Sequence, residues 1–585
     1  MNTWNLDKLY TSFEDEHFSQ DLKTLFELVD QAKLLGKEFS GYLNAEKILE
    51  QYLLASADLN FYADKLFQYS GLREATESTN QQAVKYLNTL RVKINELTIV
   101  DTQFKKWLRD VPGLDKIIAA NPKLSEHSFY LNELKAQAEH MLDDQTENLI
   151  GKLKQSGSSA WGRLQGLLTS TVAVDYEGKE ITLSEVRNLA YEKDKDVRKK
   201  AYYAELEAYK KIDKAIAFSI NAIKGEVNTL SEARGYNSPL EETLFKSRMK
   251  KTTLDAMMDT MTEYLPIFRK YLQRKAKLLG YSEGLPFYDL FAPIGNINKT
   301  FTIPEAADYI RKNFATFNKR LFEMADRAFK ENWIDFVPKK GKVGGAFCSN
   351  IHPIKESRVL TNFTGVFGDV ITIAHELGHA YHGEAIFTES ILNSSYTMPV
   401  AETASTFCET IVNKAALKDA TSKDEKIYLL ESSLQDYTQV IVDIMSRFIF
   451  EKSVFEGRQT TIFDEEELKD LILSAQKQTY GDGLDQNLLH PYMWLCKPHY
   501  YSGELSYYNF PYAFGLLFAK GLYSKYLTDK SGFVKMYDLL LSATGKNMVE
   551  DAAMIAGIDV TKKDFWQGSL ELLKQDIDLF LELTE

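Results

Sequence analysis

Helix breakers are scarce in this chain. Its 585 residues contain 31 glycines and 13 prolines, well below the ~12 % that the two contribute to an average protein. Long stretches, 186–232 and 301–330 among them, carry apolar residues at helical period with almost no interruption. Long helices joined by short loops are therefore expected, in a mainly α fold. The length supplies ample material for a large core and ordinarily divides into domains. No internal repeat or low-complexity tract marks a linker.

Charge and cysteine usage narrow the classes of partner. The net charge is −13, from 70 basic and 83 acidic residues, and it is spread rather than blocked. That disfavours a nucleic-acid surface. Cys348, Cys408 and Cys496 are too few and too odd in number for a disulfide framework, so reduced core thiols are expected. The polar start, with Asp7, Glu14, Asp15 and Glu16, carries no secretory signal, and no apolar stretch is long enough to span a bilayer. The expected location is the cytoplasm, with no membrane partner.

Residues 375–379 read His-Glu-Leu-Gly-His. A shuffled chain of this composition yields His-acid-x-x-His about 0.02 times. Two histidines four apart on a helix share a face, so both imidazoles reach one ion. Zinc favours such nitrogens, and with three protein ligands it keeps a position for water. Glu376 then stands where it can take a proton from that water, the arrangement of a zinc protease. The preceding segment, Gly368 to Ala374, offers a break, a capping acid in Asp369 and an apolar face.

The third ligand sorts the zinc proteases. The long metzincin pattern needs glycine at 382 and histidine at 385, whereas this chain has His382 and Ala385. The other common solution is a glutamate from a second helix. Residues 397–409 supply one, with Pro399 suited to a first turn and Val400, Ala404, Phe407, Cys408 and Ile411 as its buried stripe. Glu402 is the expected ligand. Glu409, seven residues on, either orients a ligating histidine or belongs to a solvated face. A structural zinc site would use four protein ligands, often cysteines, and none is placed for it.

Ahead of this motif the chain changes character. Gly341–Ser349 and Ser357–Gly365 contain β-branched and aromatic residues and read as a small pair of strands. Gly344, Gly345, Ala346 and Phe347 are candidates for a substrate-binding edge, along which a peptide would lie as an added strand. A plain turn with glycines for geometry is the alternative.

The zinc motif, the Pro-Val-Ala-Glu-Thr-Ala-Ser segment at 399–405 and the Tyr-Tyr-Asn-Phe-Pro-Tyr-Ala-Phe-Gly string at 507–515 together resemble oligoendopeptidase F, of the thimet oligopeptidase superfamily. The opening Trp4 to Tyr10 is similar to its start, and the likeness spans essentially the whole chain. The resemblance implies a large helical zincin-type metallopeptidase with a small β-sheet near the active site and a deep channel between two halves. It implies one zinc per chain, short unstructured peptides as substrates, and a monomer or homodimer. It also suggests an amino-terminal helical part, 1–200, and a catalytic part, 201–585.

In that superfamily a histidine and tyrosines from a late loop stabilise the tetrahedral intermediate, which carries over to His499, Tyr508 and Tyr512. His499 and Tyr508 are nine apart, as in the family; Tyr512 departs by one position from the thimet branch, which leaves the division of labour between the tyrosines open. Tyr500, Tyr501 and Tyr507 read as core aromatics, and the roles of His352, His382 and His490 stay open. An exopeptidase or a non-catalytic peptide-binding protein are the competing readings.

Overall fold

The computed structural model describes residues 2–295 and 299–585. It is 71% helical, with two small sheets, so the mainly α expectation holds. The stretch 186–232 is cut rather than continuous: helices Lys195–Tyr209 and Asp213–Ala233 follow the short Leu183–Asn188. Asp194 accepts the Asp196 N–H and so begins a new helix. Asn318 divides 301–330 in the same way. Its side chain accepts the Leu321 N–H between helices Ile303–Phe317 and Lys319–Lys330. Side-chain caps, which apolar periodicity does not report, set these boundaries.

One large apolar core extends from Val174 to Phe580. Two smaller cores lie among the amino-terminal helices and draw in residues from far along the chain. Ile351 and Leu360 pack with Trp4, Leu6 and Tyr10, and Leu392 packs with Trp107 and Leu108. Polar contacts reinforce the first union. Arg358 Nε donates to the Asn5 carbonyl at 2.7 Å, and the Asn5 N–H donates to the Asn332 carbonyl at 2.7 Å. The opening segment thus braces the sheet that lies beside the histidine motif.

Strands β1 (Val174–Tyr176) and β2 (Lys179–Ile181) form an antiparallel hairpin. The second sheet contains β3 (Ile334–Asp335), β4 (Phe347–Ile351) and β5 (Glu356–Leu360), in the order β3-β5-β4. In its antiparallel register Phe347 faces Leu360 and Ile351 faces Glu356. The two expected pieces do pair, and β4 is an edge strand among the described residues. Only Phe347 of the four candidate edge residues lies in the strand. Gly344, Gly345 and Ala346 precede it, and Gly345 has φ +76°, a conformation that favours glycine.

Four helices frame the histidine motif: α1 (Phe367–Ile386), α2 (Thr403–Asp419), α3 (Lys423–Thr438) and α4 (Phe510–Thr528). Asp369 stands inside the first turn of α1 rather than at its cap. Its carboxylate accepts the N–H groups of Thr364 at 2.7 Å and Gly365 at 2.9 Å, closing the loop before the helix. The sheet is fastened to α1 by Asn350. Its Nδ2 donates to the His379 carbonyl at 3.1 Å, while its Oδ1 accepts the Ser357 hydroxyl at 2.7 Å. Among the described residues no helix is long and apolar enough to cross a membrane.

Candidate metal centre

His375 and His379 stand one turn apart on α1, their ring centroids separated by 5.0 Å. Glu402 Oε2 lies 3.2 Å from His375 Nε2 and 3.4 Å from His379 Nε2. A tetrahedral zinc with ligand distances of ~2.0–2.1 Å spaces its ligands by roughly 3.3 Å; both Glu402–histidine spacings match it, and all three donors lie within 4.8 Å of one another. Among the described residues they are the one His/Cys/Asp/Glu group found able to hold a metal. Ser405 Oγ donates to Glu402 Oε2 at 2.8 Å. Behind the site, His375 Nδ1 faces Glu409 Oε2 at 3.3 Å. This contact orients the His375 ring with Nε2 toward the centre.

The apolar stripe predicts Glu402 and Glu409 on one continuous helix. The chain instead makes a short turn, Met398–Ala401, breaks at Glu402 (φ −85°, ψ 4°), and restarts as α2. Pro399 lies in that first turn, and the stripe Val400, Ala404, Phe407, Cys408 and Ile411 is buried. The break places Glu402 at the start of α2, and both glutamates converge on His375 from its two nitrogens.

Close helix packing makes this convergence geometrically feasible. A Cβ on Gly378 would lie 2.5 Å from both the Ala404 carbonyl oxygen and Ser405 Cα, so α1 and α2 touch backbone to backbone between the two histidines. A Cβ on Gly515, in α4, would lie 2.6 Å from Glu402 Cβ. The sequence pattern singles out neither glycine. The available signal is a helix-weakening residue kept inside a helical motif, where alanine would be worth ~1 kcal/mol more.

Burial and pairing set the charges. Burial disfavours the His375 cation, but the hydrogen bonds it donates to Glu402 and Glu409 outweigh that and raise its pKa to about 10. His379 is pushed down to about 4, chiefly by burial. Burial works against Glu402 ionisation, yet His375 and His379 bring its pKa to about 2. The metal-free centre therefore holds a proton on His375 at neutral pH, and a ligating imidazole must lose it. Zinc binding at a pH of about 7.5 is expected to release about one proton. Calorimetric titration in buffers of different ionisation enthalpy reads that number, and zero release would contradict the assignment.

Glu376 is buried, and its carboxylate makes no hydrogen bond or ion pair among the described residues. Burial pushes its pKa up to about 7; His375 pulls the other way, and Glu402 adds to the rise. An unengaged carboxylate beside three convergent donors is free to accept a proton.

His499, in the turn Pro498–Tyr501, meets Tyr508 and Tyr512, with ring centroids 5.3 and 6.3 Å away. Burial first, then Tyr508 and Glu402, raise the Tyr512 pKa to about 12, so its phenol stays protonated. Burial, Arg447 and Lys497 hold His499 toward the neutral form. Buried Asn509 anchors the loop: it accepts the Phe510 N–H at 2.7 Å and donates to Glu451 at 3.1 Å, which in turn pairs with Lys224 at 2.7 Å. Tyr500, Tyr501 and Tyr507 are core residues. The remaining histidines are engaged elsewhere. His382 bonds Thr544 at 2.8 Å and stacks on Tyr396. His352 meets the Glu389 carbonyl at 3.0 Å, and His490 lies 3.5 Å from Glu205.

Three convergent donors and a free carboxylate on a helical frame are the arrangement of a metallopeptidase. The profile of peptidase family M3 matches residues 188–572, and that of oligopeptidase F matches residues 97–173. This chain belongs to peptidase family M3. It is 23% identical to group B oligopeptidase PepB of Streptococcus agalactiae serotype III (strain NEM316), across 98% of this chain and 95% of that one. It is likewise 23% identical to oligopeptidase PepF of Bacillus subtilis (strain 168), across 100% and 87%. The crystal structure of oligoendopeptidase-F from Enterococcus faecium shares the fold at a TM-score of 0.72 and 18% identity, covering 97% of this chain and 99% of that one. The resemblance to oligoendopeptidase F is thereby met, and with it peptide-bond hydrolysis. The family is generally zinc-dependent.

Proposed function

We propose that this chain is a zinc-dependent oligoendopeptidase that cuts internal bonds of short, unstructured peptides. The observation that carries the reading is the His375–His379–Glu402 donor set with the unengaged Glu376 carboxylate next to it. Zinc held by those three residues supplies Lewis-acid chemistry, acidifying water toward a pKa of ~7 and polarising a carbonyl. Glu376 takes the proton from the attacking water at its carboxylate and later hands it to the leaving amine. Tyr508, Tyr512 and His499 offer O–H and N–H donors to the oxygen that gains charge in the tetrahedral intermediate. Glu409 holds the His375 ring. Gly344 to Phe347, leading into the edge strand β4, receive the peptide backbone. Asn362 Nδ2 already donates to the Gly345 carbonyl at 2.8 Å, which leaves the edge of β4 itself as the main peptide rail. The three cysteines are all free, which fits a reducing cytoplasmic setting.

A peptide of about ten residues, blocked at both ends, tests the reading. Internal cuts seen by mass spectrometry, lost on chelation and restored by zinc, are expected. An intact peptide beside efficient digestion of its unblocked form would replace the endopeptidase with an exopeptidase. Binding without any product would leave a peptide-binding protein. Glu402→Ala is expected to weaken zinc affinity by on the order of 10²-fold or more, read by competition with a chromogenic chelator. Full zinc occupancy and activity in that variant would show that Glu402 is not a ligand.

A further inference from the structure

Asp436, near the end of α3, lines two cavities at once. One, of about 270 Å³, is bounded by His375 and Glu409. The other, of about 340 Å³, leads away from the metal centre and is bounded by Arg187, Arg198, Glu205, Gln439 and Lys497. Its size is at the lower end of ligand pockets, enough for a residue or two of peptide. Beyond α3 the helix passes through a π turn, Gln439–Asp443, a feature that recurs at functional sites. Gln439 opens that turn and faces the second cavity.

Most charges around the second cavity are already matched. Arg198 is held by Asp289 at 2.6 Å and by the Glu192 and Lys193 carbonyls. Arg187 binds Glu205 at 2.7 Å and Tyr209 at 3.1 Å. Asp443 is taken by Arg447. Two are exceptions, Lys497 and Asp436: the half-buried Lys497 and the Asp436 carboxylate have no side-chain hydrogen-bond or ion-pair partner among the described residues. Burial first, then Arg447 and Arg187, oppose the Lys497 charge, while Cys496 and Asp443 favour it. Asp436 is exposed where the two cavities meet. An ammonium that faces the cavity with no protein acceptor is open to a charge-assisted partner, and an anion entering the cavity would supply one.

We infer that Lys497 anchors a carboxylate of the bound peptide, making the cavity beyond Asp436 a specificity site for an anionic group. The inference rests on the peptidase reading above. Lys497 stands two residues before His499, so the anchor and the oxyanion donor share one short segment. The same carboxylate chemistry comes from an aspartate or glutamate side chain or from the peptide's own carboxy terminus.

Binding of matched peptides to zinc-loaded Glu376→Gln protein separates these cases. One pair differs only in a terminal acid or amide; a second series scans glutamate against glutamine along the peptide. Competition anisotropy is expected to show one carboxylate-bearing member binding about tenfold tighter than its neutral twin. The pair that shows it identifies the source. Adding Lys497→Met should bring that ratio close to one, and Lys497→Arg should keep most of it. If Lys497→Met fails to fold, Lys497→Gln reads the same ratio. Equal affinities throughout, or a preference that survives loss of the lysine in a folded variant, would overturn the inference. Digestion of the same peptides by the unsubstituted protein keeps the two readings apart. No cuts with a lysine-dependent ratio would remove the peptidase reading alone, and cuts with a ratio of one would remove this inference alone.

Discussion

A Glu376→Gln protein is expected to fold and to bind zinc like its parent, while turnover falls by roughly 10²–10⁴. The carboxamide has the shape of the carboxylate but cannot accept the water's proton. Nothing structural should be lost, because the Glu376 side chain makes no hydrogen bond or ion pair among the described residues. A stability signature accompanies the loss. Burial raises the Glu376 pKa to about 7 in the metal-free fold, above the ordinary glutamate value near ~4.3. The folded state therefore binds the proton more tightly than the unfolded chain. This group's contribution to stability is fully present below the ordinary value and is lost as pH rises through about 7. Glutamine does not ionise, so the metal-free variant should melt higher than its parent at a pH of about 8 and show less difference at about 5. Steady-state cleavage of a quenched fluorogenic peptide, zinc analysis by mass spectrometry and thermal melts at both pH values check the three parts. Activity within about tenfold of the parent would rule out Glu376 as the general base.

Gly378→Ala should be the most damaging single-methyl change near the site. In an open helix this exchange stabilises by ~1 kcal/mol. Here the new Cβ would lie 2.5 Å from the Ala404 carbonyl oxygen and from Ser405 Cα. Both are backbone atoms of α2, so relief requires the two helices to separate. Overpacking of this kind costs ~1–3 kcal/mol or more, so the sign of the usual effect is reversed. The same separation draws Glu402, which immediately precedes α2, away from His375 and His379, now 3.2 and 3.4 Å from its Oε2. A lower melting temperature together with weakened zinc binding is expected. An unchanged melt with full zinc affinity would mean that the helices can part without disturbing the donors.

The two effects differ in how visible their residues are in the sequence. Glu376 belongs to a five-residue pattern whose meaning follows from helical geometry alone. Gly378 lies in the same pattern, yet its role depends on the backbone of Ala404 and Ser405, on another helix. The same contrast separates Pro399, which suits any first turn, from Glu402, whose position depends on a break that the apolar stripe does not reveal. The divided helices follow the same rule. Their helical character is plain from period, but their ends depend on individual caps, Asp194 and Asn318, that periodicity overlooks.

Local order was within reach of the sequence by itself: the helical class, the two histidines on one face, the buried stripe around Glu402, the pairing of two short strands and the burial of Tyr500, Tyr501 and Tyr507. Each of these follows from interactions among residues a few positions apart, where spacing fixes direction. Only the tertiary structure decided that Glu402 and Glu409 approach His375 from opposite nitrogens, that Gly378 and Gly515 let three helices close around them, and that Lys497 faces a cavity without a partner among the described residues. Those facts depend on distances between segments well separated along the chain. They are set by how side chains of different helices fill shared space, and spacing along one chain carries no measure of that.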